Sequence, residues 1–200
     1  MLGGDAELRN LDRRADLMVM ATTPIYYTAE MVRALPDDGQ RYETVYGELL
    51  VTPSPRELHQ RVLQRLQLAV GNYLDRYPVA ATYSSPADIS WGPDILVQPD
   101  LFVVDLEQAR TGNWARMQLL LLAIEILSPS TTRYDRFTKR RLYQEVGIPS
   151  YWMVDPERRL VEIWTPGATA PFVETEGLYW HPHGAPMPLE IDVQRLFRPL

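Results

Sequence analysis

No cysteine occurs among the 200 residues, so neither a disulfide framework nor a thiolate metal site can be built. No apolar run approaches the roughly 18 residues that cross a bilayer. The longest near the start, residues 17–21 (LMVMA), is too short for a signal peptide's apolar region and follows acidic residues. A cytoplasmic protein without a membrane segment is the expectation. Excess positive charge is lacking too. The formal net charge is −6, which argues against a surface coated with basic residues to hold nucleic acid non-specifically. An acidic metal site lowers the total locally, however, so the sign alone does not exclude a nuclease. Lysine is the scarcest cation. Nineteen of the twenty basic residues are arginine, and Lys139, within residues 137–145 (FTKRRLYQE), is the single ammonium. Arginine is a flat fork charged at any accessible pH, whereas lysine is a compact point charge that burial can tune.

What is present is ordinary for a globular chain: 46% hydrophobic and 23% charged residues, at a length suited to one domain. Residues 1–24 are charged and unpatterned and read as a flexible arm; 25–200 read as a single domain. A short capped helix is expected over 28–35, and a hairpin or two short strands over 42–51, broken at Gly47. From 56 to 76, Leu58, Val62, Leu63, Leu66, Val70, Tyr73 and Leu74 share one helical stripe. Residues 80–91 and 95–104 look strand-like, with a turn at 92–94. Residues 119–127 (LLLLAIEIL) suit a strand buried on both faces. A helix over 132–146 and a hairpin of 151–155 with 160–164 follow. The tail from 165 is proline-rich, with short strand candidates such as 172–174. Helices and strands mixed around a central sheet make an α/β or α+β domain.

Two carboxylates stand where carboxylates are costly. Glu125 lies inside the apolar run and needs a partner, a proton or a metal. Asp100 sits between strand residues, and Pro99 beside it removes a backbone donor, marking an edge or strand entrance. If 97–104 and 119–127 pair antiparallel with Val104 near Leu120, Asp100 falls beside Ile124 and Glu125. Two carboxylates that close call for a cation between them, and an all-oxygen site suits Mg2+ or Mn2+. At 3.6 residues per turn, Lys139 shares the core-facing side of its helix with Asp135, Leu142, Tyr143 and Val146, while Arg140 and Arg141 do not. Asp135 reads as a helix-start residue. Arg133, Arg136, Arg140 and Arg141 form the densest basic cluster, first a solvated helix face and second a set of phosphate contacts.

These residues carry a resemblance. Pro99-Asp100, then EILSPST at 125–131, then Asp135 and Lys139 on one helix, with Tyr143, Gly147, Tyr151, Trp152, Val154 and Asp155, resemble the Uma-two family. That family comprises bacterial proteins described as endonucleases, once a domain of unknown function, within the PD-(D/E)XK nuclease superfamily. The resemblance runs over roughly 25–180 and implies a restriction-endonuclease-like fold with a central mixed sheet flanked by helices. The superfamily's strand lysine is replaced here by Leu127, and the family supplies a lysine from the following helix, where this chain has Lys139. It implies Mg2+-dependent hydrolysis of DNA phosphodiester bonds, with Mn2+ as a substitute. Asp100, Glu125 and Lys139 would be catalytic, and Asp100, Glu125, the Ile126 carbonyl and Glu43 would hold the metal. Glu43 is equally readable as a surface strand residue. Arg133, Arg136 and Arg140 are the DNA-binding candidates. His59 falls within the stripe near Leu66 and Tyr73 and reads first as a core or helix-start residue; the family carries a histidine nearby, so a place beside the site is the second reading. Double-stranded DNA is the expected partner, and two cuts on one duplex favour a homodimer. The alternative is an inactive nuclease-fold interaction or regulatory module.

Overall fold

The computed structural model describes residues 25–199; the arm expected over 1–24 lies outside them. Helix α1 (Ala29–Arg33), capped by Thr28 Oγ1 accepting from the Met31 N–H, leads into the hairpin β1 (Arg41–Val45) and β2 (Glu48–Thr52). The hairpin turns at Tyr46 and Gly47, both at positive φ, and the Tyr26 ring occupies the place a Cβ on Gly47 would take. Then come α2 (Glu57–Arg76), β3 (Ala80–Ser84), β4 (Ile89–Gly92), β5 (Ile95–Val97), β6 (Leu101–Asp105), α3 (Leu106–Ala109) and β7 (Leu120–Ile126). The next helical stretch has three parts: α4 (Thr132–Tyr134), a π-helical turn (Asp135–Lys139) and α5 (Arg140–Glu145). The chain closes with β8 (Tyr151–Asp155), β9 (Leu160–Trp164), β10 (Phe172–Glu174), β11 (Gly177–Trp180), β12 (Leu189–Asp192) and α6 (Val193–Phe197).

The central sheet has six strands in the order β10-β9-β8-β7-β6-β3. It is mixed: β7 and β8 run parallel, and the other neighbours antiparallel. A four-stranded sheet, β2-β1-β5-β4, stands beside it, and β11-β12 form a separate hairpin. The apolar run of β7 feeds two cores, one from each face. Leu122, Ile124 and Ile126 join the α2 residues Val62, Leu66 and Val70, with Trp152 and Val154. Ala123 packs on the opposite side with Tyr143, Tyr151 and Met153. Glu125 shares the parity of Ala123, so alternation along the strand turns it to the π-turn side.

The expected register holds. Val104 pairs with Leu120 and Leu101 with Ile124, with a bulge at Leu121 taking up one residue. Two expected strands are each cut in two. Residues 80–91 break between Ser84 and Ile89, and 95–104 break at 98–100, so that β3 and β6 join the large sheet while β4 and β5 join the small one. Pro86 and Pro99 fall in the breaks, where a missing N–H does no harm to a ladder. The tail holds more structure than its prolines suggest. Leu178, Trp180, Leu189, Ile191, Val193, Leu196 and Phe197 complete the core around α2. The Arg65 guanidinium donates to the carbonyls of Arg195, Leu196 and Arg198 at 2.7–3.2 Å, closing the end of α6.

Because Leu66 is fully buried on α2 and Leu68 is 57% exposed, the two leucines predict opposite outcomes. Leu66→Ala should lower unfolding free energy by about 2–5 kcal/mol in urea titrations, and Leu68→Ala by under about 0.5 kcal/mol.

Candidate active site

Glu125, in the middle of the sheet, meets Lys139 from the π turn. The Lys139 ammonium lies 3.0 Å from Glu125 Oε1, 2.9 Å from Glu43 Oε1 and 3.7 Å from Asp135 Oδ1. Three carboxylates therefore share one cation at 1% exposure. Tyr143 also donates its hydroxyl to Glu125 Oε1 at 2.8 Å, and the Gln98 N–H donates to Glu43 Oε1 at 2.7 Å. The helix turns inward here through a π turn, with the Arg140 N–H reaching the Asp135 carbonyl five residues back. Such turns are frequent at functional sites.

Asp100 stands at the entrance of β6, next to this cluster. Its Oδ2 accepts the Ile126 N–H at 2.8 Å and faces His59 Nε2 at 3.0 Å; its Oδ1 accepts from Arg41 Nη1 at 2.9 Å. Arg41 is the first residue of β1, two before Glu43, so a single strand delivers both a cation and a carboxylate. A cleft of about 1010 Å³ opens onto this side, with Arg33, Arg41, Arg56, His59, Asp100 and Ser128 among its lining. Glu125 and Lys139, at 2% and 1% exposure, are buried and do not line that cleft.

Four carboxylates (Glu43, Asp100, Glu125 and Asp135) face two permanent cations, Arg41 and Lys139. The imbalance shows in their proton affinities. Burial pushes the Glu125 carboxyl up to about 8, Lys139 opposing and the neighbouring carboxylates reinforcing the rise. Burial likewise lifts Asp135 to about 6 against the pull of Lys139. Burial works to lower the proton affinity of Lys139, but Glu125, Glu43 and Asp135 together outweigh it and hold the ammonium more firmly than in free lysine. Within the cluster, Lys139 is held in its charged form while Glu125 is driven towards its neutral one. Asp100 behaves the other way. Burial works to raise it, yet the His59 contact and the Arg41 guanidinium keep it well below the usual range.

Among the described residues, no three acidic or imidazole groups converge closely enough to hold a metal ion as they stand. In charge and donor type the cluster nonetheless fits a hard divalent cation. Its ligands are all oxygens, its four carboxyl groups outnumber its two permanent cations, and Glu43 Oε2 and Asp135 Oδ1 are buried without a hydrogen-bond partner.

The sequence candidates fall into two groups. Asp100, Glu125, Lys139 and Glu43 come together, and Glu43 is fully buried rather than on a strand surface. Ile126 enters by its N–H, which holds Asp100. His59 keeps its place in the α2 stripe and also touches Asp100, joining both readings of it. Asp135 is a buried member of the cluster as well as a helix-start residue. The helix arginines lie elsewhere. Arg136 is tied to Asp155 and Glu162 at 3.2 and 2.6 Å, and Arg140 stacks over Trp164 at 4.5 Å. Arg133 is exposed beside a separate hollow lined by Glu48, Tyr134 and Phe137. The arginines at the cleft are Arg33, Arg41 and Arg56, scattered in sequence and so without a cluster to reveal them.

A mixed sheet with helices on both sides, a buried carboxylate on its central strand and a second at the neighbouring strand's entrance define a restriction-endonuclease-like fold. Residues 29–194 match the model of the Uma2 family, described as a putative restriction endonuclease, and the chain belongs to that family. Among solved structures, it is similar to a protein from Anabaena variabilis ATCC 29413 titled a putative nuclease belonging to DUF820. The TM-score is 0.72 at 20% identity, covering 86% of this chain and 97% of that one, a likeness of fold. It is also 30% identical over 141 residues, 69% of this chain, to the mitochondrial T-cell activation inhibitor of Mus musculus. The chain spans about a quarter of that relative, 27% of its length. No helix among the described residues is long and apolar enough to cross a membrane.

Two predictions rest on this electrostatics. Lys139→Met leaves three carboxylates without their cation and should cost about 3–5 kcal/mol in urea unfolding. Glu125, with its folded value raised to about 8 from 4.5, binds more proton in the folded than in the unfolded chain between those values. Its stabilising contribution is therefore complete below about 4.5 and lost as pH rises through about 8. Urea midpoints taken from pH 5 to 8.5 should fall with pH, and Glu125→Gln should flatten that fall.

Proposed function

We propose that the protein is a divalent-metal-dependent endonuclease that hydrolyses phosphodiester bonds of double-stranded DNA, using Mg2+ or, in its place, Mn2+. The carrying observation is the buried cluster of Glu125, Glu43 and Lys139 next to Asp100, which itself lines an arginine-bordered cleft. The family and the fold both support nuclease chemistry. Asp100 and Glu125 would hold the ion, which when bound supplies the Lewis acidity for attack on a phosphate. The chain's own residues prepare that site. His59 and the Ile126 N–H fix the Asp100 carboxylate from behind. Lys139 keeps Glu125 and Glu43 side by side against their repulsion. Arg33, Arg41 and Arg56 border the cleft and supply positive charge for an entering phosphate, Arg33 while paired through Nε to Asp88 and Arg41 through Nη1 to Asp100. A cytoplasmic setting suits a DNA substrate, and cutting both strands favours two copies acting together.

One observation favours a second reading, an inactive scaffold kept for interaction. Lys139 is 1% exposed and spends its charge on internal carboxylates. Plasmid nicking in Mg2+ and then Mn2+ separates the two readings. Wild-type protein should cleave, while Asp100→Ala, Glu125→Gln and Lys139→Met, purified identically and checked for folding, should lose about 100-fold or more of the rate. Cleavage equal in all four would place the activity outside this cluster, and none in the wild type would favour the scaffold.

A further inference from the structure

Arg41 occupies a position that the carboxylates alone do not explain. Asp100 has two oxygens, and the structure uses them differently. Oδ2 is committed to two well-buried protein groups, the Ile126 N–H at 2.8 Å and Nε2 of His59 at 3.0 Å, His59 being 8% exposed although it too borders the cleft. Oδ1 is held by Arg41 Nη1 at 2.9 Å, and Arg41 lines the cleft. The Arg41 side chain is 21% exposed, against 3% for Asp100. A cation arriving from solvent thus meets the guanidinium before it meets the carboxylate.

The same guanidinium has other places to rest. Nη1 lies 3.2 Å from Ser85 Oγ and 3.4 Å from the Gln98 carbonyl, both neutral acceptors. Ser85 Oγ is itself anchored to the carbonyls of Gln98 and Pro99, so this perch is fixed. Releasing Asp100 need not leave Arg41 without partners. Lys139 offers the contrast. It is 1% exposed and enclosed by three carboxylates, so it has no route out that leaves the core intact. Of the two permanent cations in the cluster, Arg41 is the one with a path to solvent.

We propose that Arg41 is an exchangeable internal counter-ion: its guanidinium holds Oδ1 of Asp100 and gives way when a divalent metal binds there. The inference rests on the metal-dependent reading above and adds a positioning residue to it. Arg41 offsets the Asp100 charge until the metal arrives, and it sets how tightly the metal is held, because binding must displace a like charge. A monovalent, forked partner is traded for a divalent one, so the exchange adds one unit of positive charge to the cluster beside Asp100.

Calorimetric titration of Mn2+ into the full chain tests this without reference to cleavage. Wild type, Arg41→Gln and Arg41→Lys are compared, with circular dichroism confirming the fold of each. Exchange requires Arg41→Gln to bind Mn2+ about tenfold or more tightly than wild type, with Arg41→Lys between them, and Mn2+ to raise Tm further in Arg41→Gln than in wild type. Mn2+ affinity that is unchanged or weaker in folded Arg41→Gln, while the wild type binds, overturns the exchange and leaves the nuclease reading standing. If Arg41→Gln does not fold, Arg41→Lys decides alone, with tighter binding supporting exchange and equal or weaker binding overturning it. Failure of all three proteins to bind Mn2+ overturns the metal-dependent reading and this inference together.

Discussion

The ammonium of Lys139, shared by Glu43, Glu125 and Asp135, is the contact on which the site's geometry depends. It joins β1, β7 and the π turn, segments separated by up to 96 positions along the chain, into one electrostatic unit. Carboxyl groups that close repel when charged, and at 0–2% exposure bulk solvent screens them little. A compact ammonium can point its three donors toward three acceptors, whereas a guanidinium offers a flat fork and more volume. This is a physical reason for one lysine in a chain that otherwise uses arginine. It also explains why the enclosure must be tight: Tyr143 and Tyr151 wall the cluster from below, and Tyr143 donates to Glu125.

Much of this was legible in the sequence, and each success has a local cause. The apolar run around Glu125 announced a buried strand, because few residues but core ones tolerate such neighbours. The α2 stripe ran true from Val62 to Leu74, because helical periodicity is a property of consecutive residues. The register of β6 on β7 followed from two adjacent strands in antiparallel order. What escaped was non-local. Arg41 reaches Asp100 across 59 residues through a contact that no spacing encodes, and the His59 contact, across 41, is foreshadowed only by the family resemblance. Asp135 shares the helix face of Lys139 four residues on, yet a helix start explains it sufficiently, so its place in the cluster does not stand out in the sequence. The β11-β12 hairpin and α6 were hidden by prolines that lie in the loops between the elements.

The arginines show why residue type alone could not find the cleft. A dense run on one helix looks like a phosphate-binding face, yet Arg136 is spent on Asp155 and Glu162 and Arg140 on Trp164. Those contacts hold the π-turn helix against the β8-β9 hairpin. The run is cationic because the hairpin beneath it is acidic and aromatic. The arginines that border the cleft come instead from α1, β1 and the entrance to α2, elements that meet because the small sheet packs beside the large one.

The cluster's parts are few and widely spaced: Arg41, Glu43, His59, Asp100, Glu125, Asp135 and Lys139. All fall within residues 29–194, the span that matches the family. Membership therefore bears on the whole constellation and not on one arm of it. The likeness to the Anabaena variabilis protein persists at 20% identity over 86% of the chain, which is what a sheet specified by pattern permits. Apolar side chains of similar volume replace one another at modest cost. A buried charge has no such latitude, since removing one partner strands the others. The core can therefore drift while the charged residues at its centre constrain one another, and a mutation at Glu43, Arg41 or Lys139 is felt by every carboxylate in the cluster.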